Sequence, residues 1–247
     1  MPMYLLMLIV WLMPATMQES KTITFASKDG LPITADLYMA HPKSAPLIIL
    51  FHQARWSRGE YVEIAPKLNL IGFNCMAVDL RSGGEVNGIR NQTFEAAEKA
   101  LKSTNYVDAY QDIEAAVEYA RKYLAEGKLI IWGSSYSSAL VLRYAGENPD
   151  KIDAVLSFSP GEYFRNQGKS ATWISEAAAH ITKPVFITSA KGEKKAWWKI
   201  YEAIPGENKT WYLPETAGNH GSRALWSKFP DSRMYWQAVE KFLNSIK

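Results

Sequence analysis

Short apolar runs alternate along this chain with longer stretches whose apolar side chains recur every three or four residues. The segments 22–26 (TITFA) and 33–39 (ITADLYM) flank SKDGLP, whose Asp-Gly and Pro mark a turn, and they predict an antiparallel pair. PLIILFH (46–52) and FNCMAVDL (73–80) are short, apolar and partly β-branched, the pattern of strands buried on both faces. Further strands are expected at 128–133, 152–158, 184–189 and 208–213. Helical spacing is plainest at 105–125, where Tyr106, Tyr110, Ile113, Val117 and Leu124 fall near one face. Helices are also expected over 57–72, bent or shortened at Pro66, and over 136–147, 171–180, 194–203 and 232–246. Residues 81–104 are the longest connection without a clear period and are expected to be irregular and to flank a pocket. Strands alternating with helices predict an α/β fold: a mostly parallel eight-stranded sheet covered by helices on both faces.

One corner of that pattern is unusual. In LIIWGSSYSSALVLRYA (129–145) an apolar strand stops at Gly133, four of the next five residues are serines, and apolar side chains then resume at helical spacing. Active residues of a parallel sheet gather where strands end and helices begin. GSSYS approximates G-x-S-x-G, with Gly133, Ser135 and Ser137 at the patterned positions, so Ser135 is the candidate nucleophile. Small neighbours suit a strained turn that lifts one hydroxyl clear of the backbone. By itself the motif is weak, because Gly-Ser turns are common and mostly inert.

A serine nucleophile needs a base and an orienting acid, here in the order Ser, acid, His. Of four histidines, His220 in ETAGNHGS follows the last expected strand among small residues that leave its ring room to reach Ser135. His41 and His180 read as structural or solvated, and His52 as a brace for the turn after 46–52. Two acids compete. Glu193 lies in a charged loop after strand 184–189, and Glu162 follows strand 152–158 beside Pro160 and Gly161. Asp79 precedes the serine and reads as a loop anchor. The Tyr136 backbone N–H, directly after the nucleophile, and the Ala54 amide are the candidate oxyanion donors, with the Gln53 amide as fallback. Trp56, Tyr136, Tyr163 and Trp173 are candidates to line the pocket, although aromatics in such positions more often pack than recognise.

These residues together resemble an α/β-hydrolase of the dienelactone-hydrolase-like or small serine esterase kind, over residues 22–247. LIILFHQARWSRGEY is similar to the family's strand and His-Gly oxyanion loop, AVDLRSGG to its Asp-x-Arg-Gly-x-Gly segment, WGSSYS to its elbow and AGNHG to its histidine loop. The resemblance implies that Glu193 stands where the family has its acid. Gln53 replaces a usual glycine, Ser137 an elbow glycine, and Glu193 a usual aspartate. The implied activity is hydrolysis of carboxylic esters through an acyl-enzyme. The alternatives are thioester, amide or peptide cleavage on the same fold, or a non-catalytic binding protein that retains it. No large lid is expected, because no long insertion follows strand 152–158.

Composition narrows the field. With 47% hydrophobic residues the chain suits one globular domain, expected over 21–247. The 28 basic and 25 acidic residues are spread along it without the basic stripe that nucleic-acid binding leaves. The sequence has no metal-ligand spacing, dinucleotide glycine pattern or phosphate loop, so no cofactor or metal is expected and the partner is a small-molecule ester. The single Cys75 rules out an intrachain disulfide and reads as a small core residue. Residues 3–13 (MYLLMLIVWLM) are apolar, and no charged side chain precedes Glu19. That run is short for a membrane span and reads as a signal peptide over 1–20 directing export, with an uncleaved membrane anchor as the alternative.

Overall fold

The computed structural model describes residues 20–247, and residues 1–19 of the expected leader lie outside the described residues. Among the described residues, eight strands form one sheet in the order β1-β2-β4-β3-β5-β6-β7-β8. They are β1 (Lys21–Ala26), β2 (Pro32–Tyr38), β3 (Leu47–Phe51), β4 (Asn74–Val78), β5 (Leu129–Ser134), β6 (Ala154–Phe158), β7 (Val185–Thr188) and β8 (Lys209–Tyr212). β1 and β2 pair antiparallel, β2 joins β4 antiparallel, and every pair from β4 through β8 is parallel.

The four central strands explain why their sequences are continuous apolar runs. Every residue of β3, β4, β5 and β6 is buried. Successive side chains point to opposite faces. Leu47, Ile49 and Phe51 therefore enter one core, shared with Ile113 and Leu140, while Ile48 and Leu50 enter the other, shared with Trp132 and Leu243. The helices covering these faces are α1 (Ile64–Leu70), α2 (Gln92–Lys99), α3 (Tyr110–Tyr123), α4 (Tyr136–Glu147), α5 (Trp173–Ala178), α6 (Lys194–Ala203) and α7 (Ser232–Ser245).

Three helical segments differ from expectation. The stretch 57–72 divides into a 3₁₀ turn, Arg58–Tyr61, and α1, which starts late enough to hold Pro66 in its first turn. A missing N–H costs nothing there, because first-turn amides have no partner within a helix. The stretch 105–125 opens with a 3₁₀ turn, Tyr106–Ala109, before α3. The connection 81–104 is not irregular throughout. It carries a short hairpin, Glu85–Val86 with Ile89–Arg90, and then α2, whose first turn is capped by Asn91 Oδ1 accepting the Phe94 N–H at 2.7 Å.

The segment between β6 and β7, residues 159–184, contains α5. It is held to α4 by the Arg143 guanidinium, which donates to the Trp173 carbonyl at 2.7 Å and stacks on the Trp173 ring. No lid domain interrupts the fold among the described residues. The loops after β3, β5, β6, β7 and β8 all leave the carboxyl edge of the sheet, and these loops build the site described next.

Candidate active site

At the corner after β5, Ser135 adopts φ 58° and ψ −122°, a conformation that non-glycine residues rarely accept. Its neighbours hold it there. The Ser137 hydroxyl donates to the Phe51 carbonyl at the end of β3 at 2.8 Å, and it accepts the Ser134 N–H at 2.9 Å. The Ser138 hydroxyl donates to the Ser135 carbonyl, and the Ser135 N–H continues the sheet ladder to Phe158 O at 2.7 Å. Ser134, Ser137 and Ser138 are fully buried, while Ser135 is partly exposed. The run of serines thus divides its labour: three hydroxyls brace the turn and one faces out. Gly133 is required by contact, since a Cβ there would lie 2.5 Å from the Ser137 backbone.

The structure brings His220 and Glu193 to this hydroxyl. His220 Nε2 lies 2.8 Å from Ser135 Oγ, and Nδ1 lies 2.5 Å from Glu193 Oε1. A carboxylate only accepts, so Nδ1 carries the proton and Nε2 is left free to accept from the serine. The second carboxylate oxygen of Glu193 accepts the Ser159 hydroxyl at 2.7 Å and the Ala190 N–H at 3.2 Å. Burial works against the Glu193 charge, but the bonds from His220, Ser159 and Ala190 more than offset it and hold the carboxyl below its ordinary value. Glu162 is not brought to the histidine. Its carboxylate instead receives the Ile174 and Ser175 N–H groups and the Ser175 hydroxyl, capping α5.

Ser159 is a site residue that no sequence motif marks. It follows β6 with φ 59°, and besides donating to Glu193 it accepts the Gly221 N–H at 2.9 Å. One hydroxyl therefore fastens the acid to the histidine loop. Its only sequence signal is position, at the end of the strand beside the elbow strand. Gly221 itself (φ 71°, ψ −170°) occupies a region essentially restricted to glycine. A Cβ there would lie 2.5 Å from Ser134 Oγ and 2.7 Å from Gln53 Oε1, so the histidine loop closes on both other loops without any side chain of its own.

The loop after β3 approaches the serine from the other side. Among the described residues no acceptor takes the Ala54 or Tyr136 N–H. Tyr136 opens α4, where amides lack helical partners and the helix dipole favours negative charge. The Gln53 N–H, the fallback donor, is already committed to Glu60 Oε2 at 2.8 Å. Glu60 was not singled out in the sequence, yet it is fully buried, and its other oxygen accepts the Ser134 hydroxyl at 2.7 Å.

His52 braces this loop as expected. Its Nε2 accepts the Leu80 N–H at 2.9 Å, which leaves the proton on Nδ1 to donate to Gln53 O at 2.8 Å. Burial pushes it down to about 4, so it stays neutral. Asp79 anchors the neighbouring turns by accepting from the Arg58 and Gln92 amides and pairing with the Arg58 guanidinium. His41 Nε2 donates to the Asn69 carbonyl at 2.7 Å, away from these loops, and His180 is exposed.

Of the aromatics, Tyr136 is a correction: its ring is buried, stacked on Tyr106, with the hydroxyl donating to Ser82 O. Trp56 stacks on Trp226, and Trp173 packs edge-on to Phe164. Tyr163 is 37% exposed and is tied to the site by its hydroxyl, which donates to Ser159 O.

A sheet of this order, with a strained serine after its fifth strand and a histidine after its last, defines an α/β-hydrolase. Residues 42–206 match the family model described as serine aminopeptidase, S33, and the chain belongs to that family. The match contains Ser135 and Glu193 but ends before His220. Solved structures share the fold at low identity. The esterase Pf2001 of Pyrococcus furiosus superposes with a TM-score of 0.70 at 18% identity, over 92% of this chain and 93% of that chain. Est1E of Butyrivibrio proteoclasticus, solved with ferulic acid bound, gives 0.71 at 17% identity over 91% and 98%. A dienelactone hydrolase of Anabaena variabilis gives 0.70 at 13% identity over 92% and 98%.

Proposed function

We propose that this protein is a serine hydrolase of carboxylic esters that works through an acyl-enzyme on Ser135. The observation that carries the reading is the unbroken contact from Ser135 Oγ through the His220 ring to Glu193, beside two unpartnered amides. Ser135 Oγ attacks the ester carbonyl while His220 Nε2 takes its proton. The Glu193 carboxylate keeps the ring in the required tautomer and stabilises the imidazolium that forms. The Ala54 and Tyr136 amides receive the oxyanion of the tetrahedral intermediate, at the positive end of α4. Collapse expels the alcohol, which takes the proton from His220. Water then repeats the sequence, with His220 as base, to release the acid and restore the serine.

The ester reading is supported by the esterase and dienelactone hydrolase among the structural neighbours. The family description favours a second reading, cleavage of peptide bonds at an amino terminus. Steady-state hydrolysis of p-nitrophenyl acetate and butyrate, compared with aminoacyl p-nitroanilides, separates the two. The expected result is faster, Ser135-dependent turnover of the esters. Faster turnover of the anilides would move the reading to amide bonds.

A further inference from the structure

Glu60 is a buried carboxyl at the centre of the site to which the hydrolytic sequence gives no task. It stands on the 3₁₀ turn Arg58–Tyr61 that follows the oxyanion loop, and its bonds reach all three loops that carry the chemistry. Oε2 accepts the Gln53 N–H at 2.8 Å, one residue before the Ala54 donor. Oε1 accepts the Ser134 hydroxyl at 2.7 Å, one residue before the nucleophile. Ser134 Oγ in turn accepts the Ser222 N–H at 2.8 Å, two residues beyond the histidine.

No lysine or arginine pairs with this carboxyl among the described residues. The nearest guanidinium in sequence, Arg58, is taken by Asp36 and Asp79. The other ionisable groups that face Glu60 are His220 from the histidine loop, Tyr61 on its own turn and Tyr136 at the start of α4. His52 reaches the same loop from behind, Glu193 stands across the His220 ring, and Glu63 on the following turn is held by Lys67 and the Ser227 N–H. His220 is the member of this set that gains positive charge during turnover.

The geometry points to Glu60 as a positioning residue for the ester hydrolysis proposed above: its carboxylate locks the oxyanion loop to the elbow and the histidine loop, and its charge supports the imidazolium on His220. The inference rests on that functional reading. Both bonds to the Glu60 side chain come from donors, Gln53 N–H and Ser134 O–H, which suits the ionised form. A proton on either oxygen would turn one acceptor into a donor, reversing the Ser134 bond or breaking the Gln53 bond. Burial pushes the carboxyl up to about 7, partly countered by the Ser134 and Gln53 bonds and by His220, so this change falls near neutral pH.

The test is the pH profile of kcat/KM on an uncharged p-nitrophenyl ester between about pH 4.5 and 9. Wild type is compared with Glu60→Gln and Ser134→Ala. Glutamine can still accept the Gln53 N–H and can donate to Ser134 Oγ, so it removes the charge while keeping both contacts, the Ser134 one with donor and acceptor exchanged. The wild-type acid limb should be steeper than one proton, because His220 and Glu60 must both be deprotonated. Glu60→Gln should fall to a one-proton limb with a plateau lower by about tenfold, because the charge that supports the His220 imidazolium in the transition state is gone. Ser134→Ala keeps the charge but loses one bond to it, and should move the acid limb to higher pH.

A readout independent of turnover accompanies these. A carboxyl raised on folding contributes stability that is fully present below its ordinary value of 4.5 and is lost as pH rises through about 7. The Tm of wild type relative to Glu60→Gln should therefore fall across that interval. A one-proton wild-type limb, with Glu60→Gln superimposable after scaling and the Ser134→Ala limb unmoved, would overturn the inference while leaving ester hydrolysis intact. Should Glu60→Gln not fold, the wild-type slope and the Ser134→Ala shift decide alone. Failure of the hydrolase reading looks different: turnover would survive Ser135→Ala, or would be missing from wild type.

Discussion

Replacing Ser135 with alanine should lower kcat/KM on short activated esters by roughly 10⁴-fold or more, the scale seen when a triad nucleophile is removed. No neighbouring hydroxyl can take its place. Ser134 and Ser137 are fully buried, and each spends its proton on a bracing bond, to Glu60 and to the Phe51 carbonyl respectively. His220→Ala should produce a loss of the same order, and the double variant scarcely more, because nucleophile and base act as one unit. The check is steady-state kinetics on one p-nitrophenyl ester for the three variants, with far-UV circular dichroism to show that each is folded. If Ser134→Ala or Ser137→Ala abolished turnover while Ser135→Ala spared it, the nucleophile would be misassigned.

Glu193→Gln should reduce kcat on the order of 10⁴-fold, as when the orienting acid of a triad loses its charge, with little change in KM. The amide that replaces the carboxylate can present an N–H to His220 Nδ1. That would force the ring into the tautomer with its proton on Nε2, which cannot take one from serine. Glu162→Gln should leave kcat near that of wild type. Its cost should appear in stability instead, by about 1 kcal/mol, because its carboxylate caps α5 and touches neither His220 nor Ser135. Parallel measurement of kcat and thermal midpoint for the two variants separates the roles. A crippled kcat in Glu162→Gln, with Glu193→Gln unaffected, would transfer the acid to residue 162.

Much of this architecture is legible in the sequence because the central strands are buried on both faces. Leu47–Phe51 and Leu129–Trp132 must be apolar throughout, and an unbroken apolar run of that length bounded by turn residues has few other readings. The elbow is legible for a related reason: a helix that begins against Gly133 leaves room only for small side chains. α2 is harder to see. The segment QTFEAAEK buries only Thr93 and Ala97, so it shows no apolar stripe, and the Asn91 cap is its one clear signal. Tyr136 illustrates the opposite error. The sequence leaves Tyr136 among the candidate pocket aromatics, but the first turn of α4 directs the ring into the core beneath the site.

The polar scaffold under the site was the least legible part. Glu60 sits in RGEY, which in isolation resembles the solvated face of a helix. Its burial follows from the 3₁₀ turn that the chain takes before α1, and from loops more than seventy residues away closing over it. Ser159 is equally silent, since a serine before a proline at a strand end marks a turn wherever it occurs. Both are recognised by contacts that cross the sheet, and those contacts exist only once β3, β5, β6 and the histidine loop share one edge.

Reaction of the purified protein with a fluorophosphonate, followed by digestion and mass spectrometry of the adduct, tests the central assignment most directly. The reagent forms a covalent bond to a serine only where a base activates it and donors receive the developing oxyanion. A single phosphonylated peptide, modified at Ser135 and lost in both Ser135→Ala and His220→Ala, is the result predicted here. A folded protein that remained unlabelled, or that carried the adduct on another residue, would contradict it.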